Sequence, residues 1–355
     1  MSAVVPDRSG RARPAVLWAV GLCLFLGSAL YAVQVGASGL GMGEVWEVIR
    51  ARLAGGHTAI DPIDTAIIWE LRVPRVLLSA VCGAGLAVCG VVLQSLLRNP
   101  LADPFMLGIS SGAGLGAMTV FIAGVGSGVV SLATGAFAGA VLTFALVLLL
   151  ARLAGRSIAV LILAGVAIAQ LCSAMTSFII IALADANETR GVLFWLMGSL
   201  SPARWDDIPV TAVTVGAGIA VCVAVSSMLD AFTFGEDAAA ALGIRVARVR
   251  GMLLVVTALI TAVLVSRVGA IGFVGLTLPH AARAVVGVKH RVLVPASALL
   301  GAIFLVWVDA VARVSFAPQE IPVGVMTALI GVPAFVVILV RQGQRRGRVA
   351  LGGGR

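Results

Sequence analysis

Charged side chains in this chain fall almost entirely in short breaks between apolar runs of about 17–25 residues, the length a helix needs to cross a hydrocarbon core. Lipid offers no hydrogen-bond partner, so a spanning backbone must satisfy itself as a helix or as a closed barrel. Barrel strands alternate polar and apolar side chains, and these runs do not alternate. An all-α polytopic membrane protein follows. Composition agrees: 60% of the residues are hydrophobic, only 12% are charged, and the mean hydropathy is +1.11.

Ten candidate spans are read, at 15–35, 73–96, 107–123, 128–151, 158–184, 209–229, 250–267, 271–288, 292–312 and 321–341. The first follows Arg8, Arg11 and Arg13 in the manner of a secretory signal, but its apolar core is longer than a signal's, so it is read as a retained helix. The chain then divides into a basic cytoplasmic tail (1–14), one transmembrane domain (15–341) and a second basic tail (342–355). An even number of spans puts both ends on one side. With that side inside, 17 of the 25 cations lie inside, which satisfies the positive-inside bias and gives an N-in, C-in topology. The outer side holds Arg50, Arg52, Arg72, Arg75, Arg190, Arg204, Arg267 and Arg313. A net charge of +9 would suggest nucleic acid in a soluble protein; here it is read as inner loops beside anionic membrane lipid, with no nucleic-acid partner.

Three breaks are long enough to carry structure. Residues 36–72 form an outer loop with a short amphipathic stretch, and 185–208 offer Phe194, Trp195 and Trp205 to an interfacial helix. Residues 230–250 form the longest inner loop, where an Ala-rich centre favours a helix started by Glu236 and Asp237 and stopped by Gly243. Gly108, Gly112 and Gly116 make one small-residue stripe and Gly135 and Gly139 another, both read as helix packing within the chain.

Chemistry-bearing motifs are absent. No phosphate loop and no HExxH occur, the histidines (His57, His280, His290) are scattered, and the five cysteines lie in apolar stretches without a CxxC pair. The sequence therefore predicts no catalytic residues, no metal and no bound cofactor: the chain is not read as an enzyme.

The densest signal is RVPRVLLSAVCGAGLAVCGVVLQSLLRNPLADPFMLGISSGAGLGA (72–116), with two arginines around Pro74 at an outer helix mouth and a sharp Asn/Pro break at the inner face. Further blocks follow in order: WLMGSLSPARW (195–205), FGEDAAAALGI (234–244), VGAIGFVGLTLPHAAR (268–283), KHRVLVPASALLGA (289–302), DAVAR (309–313) and QEIPVGVMTALIGVPAF (319–335). Together they closely resemble the permease family of the ABC importers for ferric siderophores, haem and vitamin B12, over most of residues 70–341.

The resemblance implies a vitamin B12 permease-like fold and a permease subunit in a bacterial cytoplasmic (inner) membrane. Its partners would be two ATP-hydrolysing subunits, which use ATP and Mg, a second permease and an extracytoplasmic substrate-binding protein. It implies that Arg72, Arg75 and Arg313 receive glutamates of that binding protein. Arginine's planar fork suits carboxylates, although the residues alone equally allow helix ends anchored at headgroups. It implies that Gly235, Glu236, Ala239, Leu242 and Gly243 seat in the ATPase subunit. Gln170, Ser173 and Ser177 form a polar stripe on one helix face; as residues they allow interhelical hydrogen bonding, and the resemblance adds a place on the translocation path. His280 and Arg283 sit near an inner helix end and are read as structural, and Asp309 is placed to pair with Arg313 one turn on. The implied cargo is a ferric siderophore, with haem and cobalamin as alternatives. A rival class, an ion-coupled secondary transporter, expects midplane acids, and only Asp309 falls inside a span.

Overall fold

The computed structural model describes residues 12–36, 39–122, 130–155, 157–317 and 319–352, with backbone alone at 12–15, 338–339 and 341–352. Arg8, Arg11, Arg156 and Arg355 of the charge count lie outside the described residues. Helix α1 (Ala12–Gln34) is followed by α2 (Met42–Ala54) and a short α3 (Pro62–Ala66), which widens into a π turn over Ile67–Arg72 and continues as α4 (Val73–Leu96). A 3₁₀ turn, Pro104–Leu107, leads to α5 (Ile109–Phe121), α6 (Leu132–Leu153), α7 (Ile158–Leu183) and α8 (Ala186–Leu196). Then come α9 (Asp207–Ala224), α10 (Ser226–Phe232), α11 (Glu236–Ala241), α12 (Val246–Val268), α13 (Val274–Val286), α14 (His290–Val314) and α15 (Val323–Gly352). The described residues form no strand.

Local chemistry sets the helix starts. Ser131 and Ser157 each accept a backbone N–H from the first turn of α6 and α7, at 3.2 Å. Asp185 and Glu188 close a reciprocal capping box on α8, the interfacial helix expected in 185–208.

Among the described residues seven segments are long and apolar enough to cross a bilayer: α1, α4 with its lead-in, α6, α7, α9, α12 and α14. The remaining three expected spans are shorter. The 107–123 segment yields a 13-residue α5, because the 3₁₀ turn and a left-handed Gly108 take its start. The 271–288 segment yields a 13-residue α13, which begins only after Phe273 adopts φ 67°. The apolar part of α15 runs from Val323 to Val337, and its backbone stays helical to Gly352, past the expected end at 341. Residues 209–229 do not form one span either. They break at Val225, and α10 turns aside so that Asp230 can bond His290.

Helix α4 is buried along nearly its whole length and packs against α9, α12, α13 and α14. Apolar side chains gain little by meeting in lipid, so close backbone approach has to supply the association. Glycines provide it: Gly83 lies against the Gly301 carbonyl of α14, and Gly90 against the Gly275 carbonyl of α13. The two glycine stripes meet each other, with Gly112 and Gly116 of α5 on Gly139 and Gly135 of α6. Intramolecular packing is what they serve. Replacing Gly90 with valine drives a side chain into the α13 backbone; we expect it to destabilise the bundle by about 1–3 kcal/mol or more. Thermal unfolding in detergent should show the loss, whereas Gly27→Ala, with nothing within 4 Å of the added carbon, should leave the transition in place.

Candidate functional site

Two sites lie at opposite ends of the bundle. At the outer end the π turn sets the geometry: the Val73 N–H reaches back five residues to the Ile68 carbonyl. That wide turn, a form frequent at functional sites, ends on Arg72, and Arg75 follows three residues on. Arg72 donates to the carbonyls of Val33 (3.1 Å) and Gln34 (2.8 Å). Arg313 donates to those of Ala32 (2.9 Å) and Val35 (3.0 Å). A helix leaves its last carbonyls unpaired, and α1 has no basic residue in its own last turn. Two guanidiniums from distant helices close that end instead.

Asp309, with no exposed surface, sits between the other donors. Arg75 holds both its oxygens, with Nε at 2.9 and 3.1 Å, while Arg313 Nε approaches at 3.3 Å without a formed hydrogen bond. Its principal partner is therefore Arg75, not the Arg313 expected from spacing. Arg75 extends its remaining prong to Glu320 at 2.9 Å, a side chain 34% exposed. The three arginines expected to dock a partner thus converge on one spot, are all buried, and turn their donors onto acceptors of their own chain. Trp205 fastens the loop beyond α8 to the π turn, donating to the Trp69 carbonyl at 2.8 Å.

At the inner end α11 is held between two left-handed glycines, Gly235 (φ 112°) and Gly243 (φ 79°), which a side chain would strain. The Ile244 N–H returns to the Ala239 carbonyl at 3.1 Å and closes the helix. Ala239 faces inward and is fully buried, whereas Leu242 is 72% and Phe234 79% exposed. Glu236 pairs with Arg250 of α12. All five residues expected to seat in a partner are therefore together, in a short helix and the turns that flank it, and those turns present Phe234 and Leu242 outward.

Behind α11, Asp230 accepts from the His290 N–H (3.0 Å) and bonds His290 Nδ1 (2.6 Å), whose Nε2 lies 2.6 Å from Ser95 Oγ. The order is that of a nucleophilic triad. Ser95, however, is largely buried in α4 and gives its hydroxyl proton to the Val91 carbonyl, so its hydrogen bonds serve the packing of the helices. The chain of bonds ties α10, α14 and α4 together. Alongside it, Pro279 lacks the N–H that would satisfy the Gly275 carbonyl. Gln94 donates to that carbonyl at 3.1 Å and to Leu276 at 3.2 Å, and its own oxygen accepts from Arg283 at 2.6 Å. His280 bonds the Leu276 carbonyl, the structural role expected of it. In the turn after α4, burial pushes the Asp103 carboxyl up to about 6, opposed by its bond from the Phe105 N–H. Sequence reasoning missed Gln94, Asp230 and Ser95, each of which acts across helices. Gln170, Ser173 and Ser177 lie on the exposed face of α7.

Such a layout, an apolar helical bundle with a buried ion cluster at one face and exposed apolar side chains at the other, defines a polytopic helical membrane protein. The model of the FecCD transport family matches residues 23–341. A cobalamin import permease of Halobacterium salinarum is 44% identical over 274 residues, covering 77% of this chain and 73% of its own. The hemin transport permease of Yersinia pestis is 34% identical over 342 residues, covering 95% and 99%. A metal-chelate type ABC transporter solved in an inward-facing conformation superposes with a TM-score of 0.80 at 31% identity, over 92% of this chain and 99% of that one. The chain belongs to the FecCD transport family, and its relatives are permease components of ABC transporters.

Asp309 is the counter-charge of the outer cluster. Converting it to asparagine leaves Arg313 without a carboxylate and Arg75 with Glu320 alone, and breaking a buried pair costs about 3–5 kcal/mol. We expect Asp309→Asn to lower the unfolding temperature in detergent clearly, with Arg75→Gln non-additive with it in a double-mutant cycle.

Proposed function

We propose that this chain is the membrane-spanning permease of a binding-protein-dependent ABC importer that takes up metal chelates across a prokaryotic cytoplasmic membrane. Helix α11 carries the reading: it presents Leu242 and Phe234 to the inner aqueous side, where exposed apolar side chains call for a partner. That partner is an ATP-hydrolysing subunit, and two of them serve a pair of permeases. The wide exposed face of α7, with Leu163, Met175, Phe178 and Ile181, supports a second permease across the path, and Gln170, Ser173 and Ser177 give that face its polar stripe. Nucleotide binding pushes on α11; the push passes through Arg250 to α12 and through Asp230 and His290 to α14 and α4. The two packings exchange by their differing contacts with the partner, which is alternating access driven from outside the chain.

An extracytoplasmic binding protein docks at the outer cluster. The side chain of Arg75 is covered there by Glu320, so an incoming carboxylate reaches the guanidinium by replacing Glu320. The cargo is first read as a ferric siderophore. Cobalamin is the second reading, favoured by the similarity to the Halobacterium permease. Ion coupling by Asp309 is disfavoured by its two arginine partners, which leave it no free charge to exchange.

Leu242→Asp should release the ATPase subunit during purification; retained stoichiometric association would remove α11 as the main contact. In proteoliposomes holding the full assembly, uptake of iron chelate or cobalamin should require ATP, and uptake driven by an ion gradient alone would refute the importer reading. Glu320→Gln should strengthen binding-protein affinity several-fold at low salt and less at high salt. An unchanged affinity at low salt would argue against docking through Arg75.

A further inference from the structure

Where α6 ends and α7 begins, a cleft of about 430 Å³ opens between them and α12. Its lining is mixed: Arg152, Ser157 and Arg250 are exposed or half-exposed, as are the apolar Ala247 and Val255, while Leu161 and Leu254 are buried. By the arginine distribution this is the inner face of the membrane. On the adjoining surface of α6, Leu149, Leu150 and Leu153 are exposed, the side chains of a helix that faces acyl chains. Arg152 makes no hydrogen bond or ion pair with another described residue.

We propose that this cleft binds the headgroup phosphate of an anionic inner-leaflet phospholipid, with part of an acyl chain against its apolar depth. Guanidiniums grip phosphate oxygens by two parallel N–H bonds, and basic pockets between helices at the cytoplasmic side are the usual seat of such headgroups. The depth of the cleft separates a lipid from a free anion, which would gain nothing from Leu161 or Leu254. Arg250 also holds Glu236 of α11. A phosphate at Arg250 therefore draws on the same guanidinium, so lipid occupancy sets how firmly α11 is tethered. This regulatory consequence rests on the reading of α11 as the ATPase contact; lipid binding does not.

The full chain in detergent micelles, titrated with phosphatidylglycerol or phosphatidylcholine and read by native mass spectrometry, tests the site without any ATPase subunit. We expect phosphatidylglycerol to be retained over phosphatidylcholine, and Arg152→Gln to reduce that preference by about fivefold, the effect of one arginine near an anionic headgroup. Ala247→Trp, at an exposed lining position, should block the cleft and abolish the preference with charge unchanged. Equal retention of both lipids by the unaltered chain, or a preference untouched by either substitution, would overturn the proposal. So would displacement of the lipid by excess inorganic phosphate, which would reassign the cleft to a free anion. None of these outcomes bears on whether Leu242→Asp releases the ATPase subunit, so the two readings fail separately.

Discussion

Hydrocarbon repairs no unpaired polar group, and much of this structure is an answer to that constraint. Pro279 within α13 frees a carbonyl, and Gln94 of α4 takes it. Asp309 lies fully buried in α14 and is balanced by Arg75, which the chain delivers from α4. The carbonyls at the end of α1 receive Arg72 and Arg313. Each repair joins two helices. Features that would weaken a single helix become the joints of the bundle.

Glycine supplies the complementary half of the arrangement. Because α4 carries Gly83 and Gly90 against the backbones of α14 and α13, its neighbours lie too close to slide independently. Polar joints then cluster at the two ends of these contacts, with the arginine knot outside and the Asp230–His290–Ser95 chain inside. A displacement at one membrane face thus meets a stiff centre and a hydrogen-bonded terminus, which is what a permease moved by another protein needs.

The long spans were legible because run length is a local property that lipid thickness reads directly. Gly243 was legible as the stop of α11 for a similar reason, since glycine has few competitors in left-handed backbone. Phe273 was not: a bulky residue at φ 67° is imposed by packing, so the late start of α13 left no mark in the pattern. The pairing of Arg75 with Asp309 joins residues 234 apart, and helical spacing pointed to the nearer Arg313. The outer arginines themselves were found by sequence, but their burial was not, because nothing local distinguishes a guanidinium facing water from one facing a carbonyl. Gln94 escaped notice because its partner is a carbonyl left unpaired by Pro279 in a helix distant in sequence.

The clasp on α1 bears on how the molecule is assembled. That helix precedes the other described elements, is largely exposed along its length, and depends at its end on Arg72 and on Arg313 of α14, thirteen numbered helices further on. During synthesis the Ala32 and Val35 carbonyls must therefore wait, near the interfacial water, until α14 threads in. One end of α1 is thus secured from the lead-in to α4 and from α14 together, although these lie far apart along the chain.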